Sequence, residues 1–193
     1  MACRIIKIIL ICLFSSVLLY SQSLNFQKEK IEITVCEYYC TVTGTYYFEN
    51  AGLFSTKNII YYPFIINETL PFPDSICVFD LRNNTSVEFK TTSRGILFNI
   101  LVPPNSVLSC RVFYRQKTPR QKMEYILTST KAWKNKLSSA EFEIVIPKNF
   151  LLKFLSYKED KIRETCNNVL YYFSKNNFMP DHNLVLKWSR KGG

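Results

Sequence analysis

A single histidine, four aspartates, four alanines and five glycines in 193 residues leave little material for several kinds of chemistry. One histidine cannot complete a common zinc ligand set with Cys36-x3-Cys40, a spacing that recurs nowhere else. Gly44, Gly52 and Gly95 stand alone, so no phosphate-cradling or dinucleotide-binding loop is formed, and no alternating aspartate run makes a calcium loop. The G-x-S-x-G elbow and the papain-like cysteine signature are missing too. The expectation is a protein that is not an enzyme and uses no cofactor and no metal. What is abundant is apolar and aromatic: 47% and 15% of the chain, against 21% charged. That balance excludes a disordered tail and supports one compact domain with a core of its own.

The first residues read as a leader. Arg4 and Lys7 give a positive start, and Ile8 to Leu19 is uncharged and apolar except for Ser15 and Ser16. The run is short for a membrane anchor, which takes about 20 apolar residues. Ser21 and Ser23 supply small residues where a signal peptidase cuts, so cleavage near Ser23 and a secreted or periplasmic location are expected. A lipid anchor would need a cysteine just past the apolar run, but Cys12 lies in its middle and Cys36 well beyond it.

Removing residues 1–23 takes 25 basic residues to 23 against 15 acidic, a net charge of +8. A basic surface attracts phosphate, anionic glycan or acidic lipid through a field that salt screens. The enrichment in Lys, Asn, Ile, Phe and Tyr is also the bias of an A/T-rich coding sequence, and nucleic acid is not the expected partner. Cys36, Cys40, Cys77, Cys110 and Cys166 would remain. Five is odd, so one thiol at least stays free or pairs between chains, and both free thiols and long-range bridges are open. On one extended strand Cys36 and Cys40 would lie about 13 Å apart, too far to bridge each other.

From Leu24 onward the side chains alternate with period two and are rich in Ile, Val, Thr, Tyr and Phe, which predicts strands. Ile31, Ile33 and Val35 share one inward parity and Cys40, Val42, Tyr46 and Phe48 the other, so a β-bulge is predicted near Cys36 to Tyr38. Strands are predicted at 57–64, 75–81, 86–90, 95–102, 107–115, 123–128, 140–146, 169–174 and 184–188. Residues 150–157 read as a strand or, with 158–164, a short helix. Asn50-Ala51-Gly52, Pro71-Phe72-Pro73, Asn83-Asn84 and Pro103-Pro104-Asn105 supply turns and breaks. Roughly ten strands with a turn every 8–12 residues predict an all-β fold, a two-sheet antiparallel β-sandwich filling residues 24–193.

The run Thr41-Val42-Thr43-Gly44-Thr45-Tyr46-Tyr47-Phe48, then Glu49-Asn50, then Tyr61-Tyr62-Pro63-Phe64, resembles the strand, F-x-N, strand, Y-x-P pattern of secreted bacterial β-sandwich domains. It is similar to the amino-terminal domain of inter-alpha-trypsin inhibitor heavy chains. The resemblance covers about a fifth of the chain. It implies a non-catalytic structural or interaction domain; the von Willebrand-type domain of the heavy chains is lacking, so their partners are not implied.

Three segments combine cations with aromatic residues. The loop Arg115, Lys117, Arg120, Lys122 carries four positive charges and no acid; Trp133 sits beside Lys134, and Trp188 beside Lys187 and Arg190. Converging in space, they could hold an anionic polysaccharide or lipid by stacking and charge; apart, the lysines merely solubilise sheet edges. His182 is the only candidate base for a hydrolase, with Cys166 or a serine as nucleophile, but Asp181 would point away from it in extended backbone. Glu141 and Glu143 share a strand face and read as a solvated surface rather than a glycosidase pair. Asn67-Glu68-Thr69 and Asn83-Asn84-Thr85-Ser86 match the glycosylation pattern, which matters only in a eukaryotic host. The leading expectation is an exported structural or protein-interaction module of the cell envelope.

Overall fold

The computed structural model describes residues 24–192, so the leader expected at 1–23, with Cys3, Cys12 and the cleavage point at Ser23, lies outside the described residues. The chain is an all-β sandwich without a closed barrel. One layer is an eight-stranded sheet. Its order is β12 (Lys161–Glu164), β13 (Asn168–Phe178), β10 (Leu137–Pro147), β1 (Asn25–Val35), β2 (Tyr39–Asn50), β8 (Ser106–Lys117), β4 (Asp74–Asp80) and β5 (Thr85–Ser86). Two three-stranded sheets make the opposite layer: β3 (Thr56–Pro63), β7 (Gly95–Val102), β6 (Phe89–Thr92), and β11 (Phe150–Leu155), β14 (Leu184–Arg190), β9 (Lys122–Tyr125).

The strands form where alternation is cleanest. In β2 every second residue from Cys40 to Asn50 is buried, and in β10 the same holds from Ala140 to Ile146. Their inward faces join those of β3, β7, β9 and β14 in one core cluster, with Ile31, Ile33, Phe98, Phe142 and Phe173 at most 2% exposed. Pairing is antiparallel except between β1 and β10, which run parallel from Lys28↔Ser139 to Thr34↔Val145.

Several boundaries differ from the sequence reading. The parity switch near Cys36 is a hairpin rather than a bulge: β1 ends at Val35, the Cys36 amide donates to the Tyr39 carbonyl at 2.9 Å, and β2 returns antiparallel. A turn reverses the chain and re-aims the side chains just as an extra residue would. Bulges do occur, at Gln27 in β1 and between Asp74 and Cys77 in β4. The segment read as one strand at 86–90 is split into β5 and β6, which belong to different sheets. Residues 150–164 form β11 and β12 instead of a helix. All five described cysteines are free, with Cys40 and Cys110 buried.

Candidate functional site

The opposite layer has a seam. Strands β3 and β9 are the facing edges of its two small sheets, and no ladder joins them. Three tyrosines stitch the seam to the large sheet. Tyr46 of β2 places its hydroxyl 2.8 Å from that of Tyr62 on β3 and 2.7 Å from that of Tyr125 on β9, while Tyr62 and Tyr125 are 3.5 Å apart. Gly44 makes this possible. A Cβ at Gly44 would collide with the Tyr46 hydroxyl, so the ring lies back along the strand only because residue 44 has no side chain.

Beside the tyrosines lies an acid. The bulge at Gln27 lets Phe26 and Glu29 both face inward, and Glu29 stands directly across from Tyr46 and beside Ala140 of β10. Glu29 is 4% exposed, and its Oε1 has no hydrogen-bond partner. Desolvation pushes its carboxyl up to about 8, so the neutral form dominates at neutral pH. Desolvation raises the hydroxyls of Tyr46, Tyr62 and Tyr125 well above the usual phenol range as well. A cavity of about 50 Å³ adjoins this group. Phe26, Phe48 and Trp133 form its aromatic corner, with ring centroids 5.3–5.7 Å apart, and its rim includes the exposed Tyr61 and Ser129.

A second feature lies outside. On the outer face of the β3–β7–β6 sheet, Ile59, Tyr61 and Leu101 are 69%, 50% and 56% exposed, and the preceding loop adds Leu53 and Phe54. The ladder sets Tyr61 against Leu97 and Lys57 against Leu101, so these side chains form one surface. Lys57 and Lys90 stand at its edge.

Two of the basic segments meet and the third stands apart: Lys187 lies directly across from Lys122, whereas Trp133 and Lys134 are near the other end of β2. Arg115 is engaged by Asp74 at 2.6 Å and lies over the Tyr39 ring, and Lys122 pairs with Glu124 at 3.7 Å. Lys117, at the end of β8, and Arg120, in the loop after it, are exposed next to the start of β2, where the Thr118 amide bonds to the Tyr38 carbonyl. Trp188 is near that loop, its amide donating to the Gln121 carbonyl at 3.1 Å, but its ring is buried at 4% exposure and offers no stacking face. Trp133, with Lys134 after it, packs on Phe48 near the other end of β2. Nine residues of strand separate Tyr39 from Phe48, roughly 30 Å.

Both His182 nitrogens face acceptors within the protein: Nδ1 lies 2.6 Å from the Asp181 carboxylate and Nε2 3.3 Å from the Ser156 carbonyl. Asp181 reaches the ring because residues 179–183 form a bend rather than the extended backbone assumed from sequence. The imidazole also stacks on Tyr157 at 4.3 Å. Among the described residues no group of three or more His, Cys, Asp or Glu side chains could hold a metal ion. Asn67 has a local task, its Oδ1 accepting from the Thr69 and Leu70 amides in a turn.

Glu29, Tyr62 and Tyr125 were not among the candidates read from sequence. The signal for Glu29 was present: it precedes Ile31, Ile33 and Val35 at the same parity, which makes it an acid on the inward face. Nothing in the order of residues brings Tyr62 and Tyr125 together, since 63 positions separate them.

No protein-family model and no curated protein matches the chain. Solved structures do resemble it. A candidate nutrient-binding protein of Legionella pneumophila superposes with a TM-score of 0.68 at 12% identity, over 86% of this chain and 67% of that one. An M1 zinc metallopeptidase of Deinococcus radiodurans gives 0.54 at 10% identity, over 86% of this chain and 42% of the peptidase. A related structure, described as a two-domain M1 metallopeptidase bound to L-tryptophan, gives 0.54 at 11% identity and 43% of its length. The chain thus spans less than half of these peptidases. The likeness is one of fold: an open β-sandwich that also occurs within larger chains.

Proposed function

We propose that this protein is an exported, non-catalytic interaction module of the cell envelope, docking on another protein through the outer face of its β3–β7–β6 sheet. The observation that carries this reading is the group Ile59, Tyr61 and Leu101 on one face of β3 and β7, with Leu53 and Phe54 in the loop before β3, all at least 50% exposed. Contiguous apolar surface on a folded domain marks a contact site, whereas isolated apolar residues need no explanation. Lys57 and Lys90 at its edge favour a partner with acidic residues around an apolar centre. The occurrence of the same fold as a minor part of two-domain peptidases supports a role beside another domain.

A second reading, binding of anionic polysaccharide or lipid, draws on one observation. Lys187 lies directly across from Lys122 on the neighbouring strand, and of the two only Lys122 has an acidic partner among the described residues, Glu124, which leaves Lys187 for an anion.

Salt separates the two. The protein and its Ile59→Asp/Leu101→Asp variant are each cross-linked in envelope extract at low and high ionic strength. The proposal expects a partner whose capture survives high salt and falls at least tenfold in the variant, with the variant's far-UV spectrum unchanged. Equal capture by both proteins overturns it. Capture that disappears with salt and is lost in Lys122→Glu/Lys187→Glu favours the anionic ligand.

A further inference from the structure

We propose that the cavity above Glu29 is a binding site for a primary ammonium group, carried either by a small free amine or by a lysine side chain of a docked partner. Four observations converge on this. Glu29 lines the cavity, and its buried Oε1 has no hydrogen-bond partner. Buried polar atoms are satisfied in nearly all native structures, so an orphan beside a void points to a group that fills it. The three tyrosine hydroxyls add acceptor lone pairs, because two short bonds among them leave oxygen capacity over. The corner of Phe26, Phe48 and Trp133 offers ring faces that attract a cation.

Other ligand classes fit less well. No lysine, arginine or histidine lines the cavity, so nothing there would neutralise an anion. One carboxylate among phenols falls short of the six or more oxygens that calcium takes. A single water needs only about 10–15 Å³ by the same measure, against about 50 Å³ here. An ammonium has three donors and no acceptor, which suits a carboxylate, a hydroxyl oxygen and a ring face together. Tyr61 and Ser129 are the exposed members of the cavity lining, where a ligand would enter, and Tyr61 also belongs to the exposed apolar face. A partner seated on that face would stand beside the entrance. The site itself does not depend on the docking proposal, since a free amine would bind without a partner.

Binding ionises Glu29: its proton leaves to solvent as the ammonium enters. The titratable groups facing it are Tyr46 from β2, Tyr62 from β3, Tyr125 from β9 and Tyr157 after β11, all raised and neutral below pH 9. Lys28 and Lys30 on its own strand point outward. Affinity should therefore weaken close to tenfold for each unit that pH falls from 8 to 6.

The test is thermal unfolding of the protein in methylammonium chloride, in n-butylammonium chloride and in sodium chloride at equal ionic strength. A saturable rise in Tm of roughly 3–5 °C is expected at an amine concentration tenfold above Kd, relative to sodium. A rise with methylammonium alone assigns a small free amine, and a larger one with n-butylammonium assigns a lysine side chain. Glu29→Gln, a neutral isostere of the protonated acid, should abolish the rise; Ser129→Trp should abolish it by closing the entrance without touching the core. Equal Tm in all three salts overturns the proposal. So does a rise that persists in either variant, or a crystal grown in methylammonium with only water against Glu29. None of these failures bears on capture by the outer sheet face, which the Ile59 and Leu101 variant tests separately.

Discussion

At the scale of single residues, the acid at position 29 controls how stability depends on pH. Its folded-state value near 8 lies above the ordinary 4.5, so the folded protein holds a proton that the unfolded chain releases. The contribution is fully present below pH 4.5 and is lost as pH rises to 8, a span worth on the order of 4 kcal/mol. Urea unfolding from pH 5 to 8.5 should show a decline in the wild type that is largely removed in Glu29→Gln. Tyr46 should be the costliest hydroxyl to remove, because it makes both short bonds, at 2.8 and 2.7 Å, while Tyr62 and Tyr125 meet each other only at 3.5 Å. Tyr46→Phe is expected to cost about 1–3 kcal/mol, and Tyr62→Phe about 1 kcal/mol because the bond between Tyr46 and Tyr125 survives it. Equal losses in denaturation would mean that the three hydroxyls do not act through Tyr46. Parity made Tyr46 legible as an inward residue, and the same rule carried two positions back from Ile31 reaches Glu29. Gly44 was legible only as an isolated glycine, since its reason is the ring lying over it.

At the scale of elements, alternation located most of the strands and left their partners undetermined. Residues 95–102 were read with the bounds that β7 has, while 86–90 gave no sign that a sheet boundary falls inside it. The reason is physical: period two records which face is dry, and a pairing partner 100 residues away leaves no trace in it. Turn chemistry was read more fully. Asn50, predicted in a turn, is 1% exposed and ties the end of β2 to the loop before β3 and to the end of β7. Its Nδ2 donates to the carbonyls of Phe54 at 2.8 Å and of Val102 and Pro103 at 3.0 Å, and its Oδ1 accepts from the Gly52 amide at 2.9 Å. Asn50→Ala would strand those carbonyls and should cost about 2–3 kcal/mol by denaturant titration. Asn50→Asp keeps the acceptor but loses the donors, and should cost at least as much.

At the scale of the whole molecule, the basic charge that stood out in the sequence is divided among separate places. Arg115 and Lys122 are spent on Asp74 and Glu124, and the two tryptophans turn inward about a strand length apart. Arg115 was legible as the outward end of the strand read at 107–115, but side-chain direction could not be read for the loop at 118–121, where no alternation fixes it. The apolar outer face was hidden for the opposite reason: Ile59, Tyr61 and Leu101 fit the alternating pattern of a strand, which does not say which parity meets the core.

The parallel contact of β1 with β10 has a bearing on biogenesis. Made from its amino end, the polypeptide emerges with its first hairpin complete at Asn50, but one flank of that hairpin stays open until β10 is finished at Pro147, 97 residues later (147 − 50). Closing so long a loop is entropically slow, and refolding from urea is expected on the millisecond-to-second scale of non-local β topologies rather than in microseconds. Until then the flank from Lys28 to Thr34 is a free template for strangers, and the outward lysines at 28 and 30 are what guard it.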